Sequence, residues 1–279
     1  MTDQNGSPAC LHPKDDPRTV DELIFAALSE TDEDIAWDAV CALQYRGTLE
    51  VLRRAAGLCR SSCPHERRLG ADMLGQLGVP ERTFPEYCVN ILINALSRER
   101  DQNVLRSILV AFSHLSDPRL IIPASRFRRH ADPDVREAVA LALGGYEDSV
   151  AVETLIELSR DSDPRVRDWA TFALGTQTEL DAPALREALL ERLLDADDDA
   201  RGEALVGLAK RGDQRVVSAL SCELESDCVG RLAVEAAEII ADSRLYAPLL
   251  GLQCWWDVDK GLLARAIETC SPPTSTSAE

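Results

Sequence analysis

The sequence predicts an all-α fold, a right-handed α-solenoid of about eight helical pairs. Three observations carry that prediction. A short motif recurs at intervals of 29 to 38 residues, the signature of stacked units that each bury one face against a neighbour. Apolar positions inside the motif follow the helical period rather than strand alternation. The composition is helix-forming: 45% of residues are hydrophobic but only 5% aromatic, so the apolar volume comes mostly from Ala, Leu and Val.

Four segments align directly: Asp132-Pro-Asp-Val-Arg-Glu-Ala-Val-Ala-Leu-Ala-Leu-Gly144, Asp163-Pro-Arg-Val-Arg-Asp-Trp-Ala-Thr-Phe-Ala-Leu-Gly175, the stretch from Cys63 to Gly75, and the stretch from Asp197 to Ala209. Each has arginine in fifth place: Arg136, Arg167, Arg67 and Arg201. The residue before it anchors the repeat, at Glu66, Val135, Val166 and Ala200, with weaker copies at Ile35, Val104, Val229 and Val258. Asp-Pro starts the helix, because proline is tolerated in the first turn, where its missing N–H has no partner. Apolar side chains follow at the anchor and at +4, +7 and +8, as in Val166, Ala170, Ala173 and Leu174, which form one helical face. Glycine at +9 (Gly75, Gly144, Gly175) is expected to end the helix in the left-handed conformation. A second helix is predicted in each interval: 20–29, 48–60, 85–96, 119–129, 150–159, 184–194, 215–225 and 246–254. The array therefore spans 19–270. The proline-containing residues 1–18 and the Ser/Pro/Thr-rich residues 271–279 are expected to be mobile tails, and the 38-residue interval places an extra loop between Leu77 and Glu86.

The Asp-Pro-x-Val-Arg-x-x-Ala-x-x-Ala-Leu-Gly pattern resembles the short HEAT-like repeats of phycobiliprotein lyases over nearly the whole chain. The stretch Asp163 to Asp213 is also similar to bacterial HEAT-like proteins of about this length, some of them encoded beside Rhs-type toxins and regarded as immunity proteins. The resemblance implies a protein-binding role, with an immunity function as its sharpest form. A lyase or chaperone subunit handling a chromophore or other prosthetic group is the alternative.

Charge narrows the partner. With 48 acidic against 30 basic residues the net charge is -18, which argues against broad contact with nucleic acid or an anionic membrane. The excess is uneven: residues 1–140 carry -4 and residues 141–279 carry -14, so a basic protein would be steered to the second half. The basic run Arg126 to His130 is the one local exception. No apolar stretch reaches the ~20 residues that cross a bilayer and Met1 to Pro8 does not read as a signal peptide, so a cytoplasmic location is expected. Nine scattered cysteines suggest reduced thiols rather than a disulfide framework.

Catalysis finds little support. The four histidines are His12, His65, His114 and His130. Cys59, Cys63 and His65 lie close together but lack a fourth zinc ligand. A di-iron HEAT-like hydroxylase, which the fold resembles, would need several His-Glu pairs, and only His65-Glu66 is present. No phosphate-binding loop or nucleophile elbow appears. Neither cofactor nor metal is therefore expected. The motif arginines are read as a ladder to Asp132, Asp163 and Asp197 that joins neighbouring repeats. The positions +2, +5, +6 and +9 turn away from the buried seam and are expected to line a concave binding surface. The candidate partner-binding residues are Trp37, Arg68, Asp72, Arg106, Glu137, Asp168, Trp169 and Phe172, joined by the acidic Asp197, Asp198, Asp199 and Glu203.

Overall fold

The structure is a computed structural model that describes residues 13–273. Among the described residues there are sixteen α-helices and no strand, and the chain divides into two compact units between Ala142 and Leu143, at the last residue of α8. The first unit holds α1 (Val20–Ser29), α2 (Glu33–Arg46), α3 (Leu49–Leu58), α4 (Pro64–Gly75), α5 (Pro85–Leu96), α6 (Gln102–Leu115), α7 (Ile121–Ser125) and α8 (Pro133–Leu143). The second holds α9 (Ser149–Leu158), α10 (Pro164–Gly175), α11 (Pro183–Arg192), α12 (Asp198–Lys210), α13 (Val216–Leu224), α14 (Arg231–Ile240), α15 (Tyr246–Leu252) and α16 (Lys260–Thr269). Even-numbered helices carry the motif, and the odd-numbered ones occupy the predicted intervals.

The motif residues build their helices as their chemistry requires. Asp32, Asp101, Asp163, Asp197 and Asp259 are N-caps whose carboxylates accept backbone N–H groups of the first turn, satisfying donors that the helix cannot. Val166, Ala170, Ala173 and Leu174 are at most 1% exposed, and motif helices pack directly on one another within a unit, α4 on α6, α10 on α12, α12 on α14 and α14 on α16. The periodicity fails at the ends. Ile35 is 48% exposed and Val258, which precedes its helix, 62%, because a terminal repeat has a neighbour on one side only.

The +9 glycines serve a different purpose from the one the sequence suggests. Gly75 and Gly175 are the last residues of their helices, and the left-handed glycines are Gly47, Gly78, Gly145 and Gly212. A Cβ on Gly175 would stand 2.9 Å from the Glu203 carbonyl and 3.1 Å from the Gly207 Cα, and one on Gly75 would stand 2.8 Å from the Ala111 Cβ. Close helix contact excludes a side chain there.

The arginine ladder exists, with other acceptors. In the second unit Arg167 Nε and Nη2 donate to Asp195 at 2.8 and 2.7 Å, and its Nη1 reaches the carbonyls of Asp161 and Ser162 at 3.0 and 3.3 Å. Arg67 makes the same fork to Glu99 in the first unit, and Arg201 reaches Glu223. Glu99 and Asp195 lie two residues before the next cap. The capping aspartates named in the sequence reading are occupied by their own helices. Arg211 is a second clamp: its guanidinium donates to the carbonyls of Leu174, Gly175, Thr178, Leu180 and Gly207, closing the end of α10 onto α12.

The extra loop after α4 is tied down rather than free. Gly78 N–H donates to the Gln44 carbonyl at 2.7 Å, the Thr83 hydroxyl to the Gly47 carbonyl at 2.8 Å and Arg82 Nη1 to the Gly75 carbonyl at 3.1 Å. Part of the expected N-terminal tail is also anchored: Pro13–Asp15 form a 3-10 turn, and Arg46 holds the carbonyls of Asp16 and Arg18. The remaining tail residues, 1–12 and 274–279, lie outside the described residues.

Candidate protein-binding faces

The register position two residues beyond the anchor holds Trp37 on α2, Arg68 on α4, Arg106 on α6, Glu137 on α8 and Asp168 on α10, and none of these is buried. On these five helices the side opposite the packed seam keeps that position open to solvent, whereas on α12 the equivalent Gly202 is buried.

In the first unit, Trp37, Arg68 and Asp72 line a hollow of about 460 Å³ together with Val40 and His65. Trp37 is 51% exposed. A smaller recess continues from it, bounded by Trp37, Asp72, Gln76, Val110 and His114. Arg68 Nε lies 4.0 Å from Asp72 Oδ2, one helical turn on. Burial raises the Asp72 carboxyl, against opposition from the Ser107 hydroxyl and the charges of Arg68, Arg106 and His65. Burial pushes His114 down, and the charge of Arg82 adds to that. Three predicted residues, Trp37, Arg68 and Asp72, therefore line one hollow, and Arg106 lies near enough for its charge to act on Asp72. Glu137 holds the matching register on α8, half-buried.

In the second unit, Asp168, Trp169 and Phe172 stand half-buried on α10. The Trp169 and Phe172 rings meet edge to face, with centroids 5.8 Å apart and an interplanar angle of 82°, a favoured aromatic geometry. Next to them, Glu203 on α12 accepts from the Thr176 hydroxyl at 3.2 Å. Burial raises the Glu203 carboxyl to about 7, and the like charges of Asp168 and Glu235 act in the same direction. Asp168, Trp169, Phe172 and Glu203 thus share one face. Asp197, Asp198 and Asp199 start α12 instead. Asp197 accepts from the Ala200 amide, Asp198 pairs with Arg201 at 2.8 Å, and Asp199 is exposed.

Sequence reasoning missed Gln76, His114 and Thr176 as members of these faces. All three sit ten residues beyond their anchors, so extending the row by one more turn finds them. Among the described residues no group of three or more His, Cys, Asp or Glu side chains is arranged to hold a metal ion. Burial pushes the Cys59 thiol up to about 12, which makes it a poor nucleophile or ligand at neutral pH. No helix among the described residues is long and apolar enough to cross a membrane.

Comparison with known proteins agrees with this architecture. Residues 89–175 and 153–241 match the HEAT repeats family, together more than half of the chain. Protein YibA of Escherichia coli K12 is 33% identical over 84 residues, and the alignment spans 30% of this chain and 30% of YibA. The X-ray structure of E. coli YibA superposes with a TM-score of 0.73 and 26% identity, covering 91% of this chain and 92% of that one. The CpcE–CpcF complex of phycocyanin lyase from Nostoc sp. PCC7120 covers 95% of this chain and 98% of that one at 19% identity, but its TM-score of 0.47 is too low to bear on function.

Proposed function

This chain belongs to the HEAT-repeat family, and from that membership we infer that it acts by binding another protein through its even-numbered helices, with a basic partner on the second unit. The aromatic pair Trp169–Phe172 framed by Asp168 and Glu203 carries this reading. Large aromatic rings that stay partly open to solvent are the side chains that anchor interfaces, and carboxylates around them select a cationic complement. Glu203, with its pKa raised to about 7, would ionise fully when an arginine or lysine arrives. Binding of that partner would then release a proton.

The sharpest form of this function is an immunity-type inhibitor that covers the basic working surface of a toxin domain. The net charge of -14 beyond residue 140 and the sequence resemblance between Asp163 and Asp213 support it. Affinity capture from the native host, comparing wild type with the Asp168→Asn/Glu203→Gln variant, tests the electrostatic part. Basic proteins retained by the wild type and lost by the variant are expected; an acidic or unchanged set contradicts it. Growth protection on co-expression with a toxin gene encoded alongside tests the inhibitor role, and unchanged killing refutes it.

A further inference from the structure

On the opposite chemistry to the acidic face, the first unit carries a basic cleft of about 570 Å³ between α3 and α5. Its walls include Arg60 at the end of α3 and Arg98 and Arg100 just beyond α5, with Tyr87, Asn90 and Asn94 along α5. In a chain of charge -18, arginines normally find carboxylates close by, and here the two lining carboxylates are already engaged. Glu99 is 6% exposed and is taken by the Arg67 fork and the N–H groups of Arg100 and Asp101. Asp101 caps α6 by accepting from Asn103 and Val104.

Arg98 accordingly donates to the neutral Asn94 side chain, and Arg100 to the Glu99 carbonyl. Among the described residues neither these two nor Arg60 forms an ion pair. Three guanidiniums without a carboxylate partner, two of them donating only to neutral groups, line one hollow, and carboxylate is the group such forks match. The shape adds to the argument. Tyr87, 64% exposed, and Arg98 lie at opposite ends of α5, about 16 Å apart at the helical rise. About five residues of extended chain cover that distance. A cleft of this length, with an aromatic ring at one end and cations at the other, fits a stretch of polypeptide better than a compact anion.

We propose that the cleft between α3 and α5 is a second binding site, specific for an extended acidic segment of a partner polypeptide with carboxylates against Arg60, Arg98 and Arg100 and an apolar side chain against Tyr87. The site is separate from the faces of the even-numbered helices and selects the opposite charge.

Fluorescence anisotropy on the full chain tests it, with labelled hexapeptides containing three Asp or Glu and one Leu. The controls are the same peptides with Asn or Gln, and with Lys, in place of the acids. The acidic peptides are expected to bind at least about tenfold more tightly than either control, and rising salt to weaken them. Arg60→Glu with Arg98→Glu removes at least about tenfold of that affinity, while Arg60→Gln with Arg98→Gln gives an intermediate loss. The melting temperature stays unchanged in both, because neither arginine contributes an ion pair to the fold. Equal binding of acidic and amide peptides, or undiminished binding to the charge-reversed variant, overturns the proposal. So does inorganic phosphate that displaces the peptide at the peptide's own concentration, which would make the site one for small anions. Sedimentation that shows self-association abolished by the same substitutions would place a second copy's acidic surface in the cleft and overturn the foreign partner.

Discussion

Replacing Arg167 by alanine removes one rung of the ladder in the second unit, and the structure sets the size of the effect. The guanidinium forks onto Asp195, whose side chain is 4% exposed, and is itself 15% exposed, so solvent screens the pair weakly. Removing one partner of a buried pair costs about 3–5 kcal/mol when the other is left alone. Asp195 is not left alone, since Arg192 Nη1 remains at 3.0 Å and the Asp197 amide at 3.0 Å. The expected loss is therefore about 2–3 kcal/mol, which lowers the melting temperature by roughly 4–12 °C at 2–4 °C per kcal/mol. Burial alone would raise the Asp195 carboxyl, but Arg167, the Asp197 amide and Arg192 overcome it and hold the group below its ordinary value. A carboxyl lowered in this way contributes stability above its unfolded pKa and loses it as pH falls through the folded value. The variant, with a less depressed carboxyl, has less stability to lose and completes that acid loss at higher pH. Thermal melts from pH 3 to 8 on the wild type, Arg167→Ala, Asp195→Asn and the double variant measure both effects. A coupling between the two sites below ~0.5 kcal/mol, or an acid limb that does not move in Arg167→Ala, refutes the ladder as a stabilising device.

Gly175→Ala destabilises by about 1–3 kcal/mol through overpacking against α12, whereas Gly57→Ala, with open space around its Cβ position, is neutral or stabilising by up to ~1 kcal/mol; urea titration separates the two. Arg211→Ala costs about 2–4 kcal/mol because the carbonyls of Leu174 to Leu180 lose a charged donor, again read from urea midpoints. Glu203 has a folded pKa of about 7, above its unfolded value, so its contribution is full below pH ~4 and declines as pH rises to about 7. In melts across that range Glu203→Gln flattens the decline, and at pH 8 it is more stable than the wild type by ~1–2 kcal/mol.

Local chemistry made most of the fold legible. The spans of α1 and α5 coincide with the predicted 20–29 and 85–96, because apolar spacing, an N-cap at Thr19 and proline at Pro85 are properties of neighbouring residues. What distance in space decides was less visible. Arg167 was assigned to a motif aspartate, but its acceptor, Asp195, depends on how the chain turns between α11 and α12. Gly175 resembled a helix stop, and only the approach of Gly207 reveals its packing role. Arg211 lies outside the motif, and nothing in its sequence neighbourhood indicates five carbonyls converging on it. The faces were legible as a register, since Trp37, Arg68 and Asp168 repeat at one position. The arginines of the α3–α5 cleft were not, because Arg60 and Arg98 belong to different repeats and their lack of a free carboxylate partner is a property of the folded wall.

Contact at the aromatic face is the claim on which the functional account rests, and site-specific photocrosslinking tests it most directly. A photoreactive residue at exposed Gln177, one residue past Thr176, samples that face without altering Trp169 or Phe172. Irradiation in the native host is expected to trap a basic protein. In the Trp169→Ala/Phe172→Ala background the yield should fall at least about tenfold, equivalent to ~1.4 kcal/mol or more of binding energy, with the melting temperature little changed. An undiminished yield, or a loss matched by a large fall in melting temperature, would make the two rings part of the repeat packing and contradict the account.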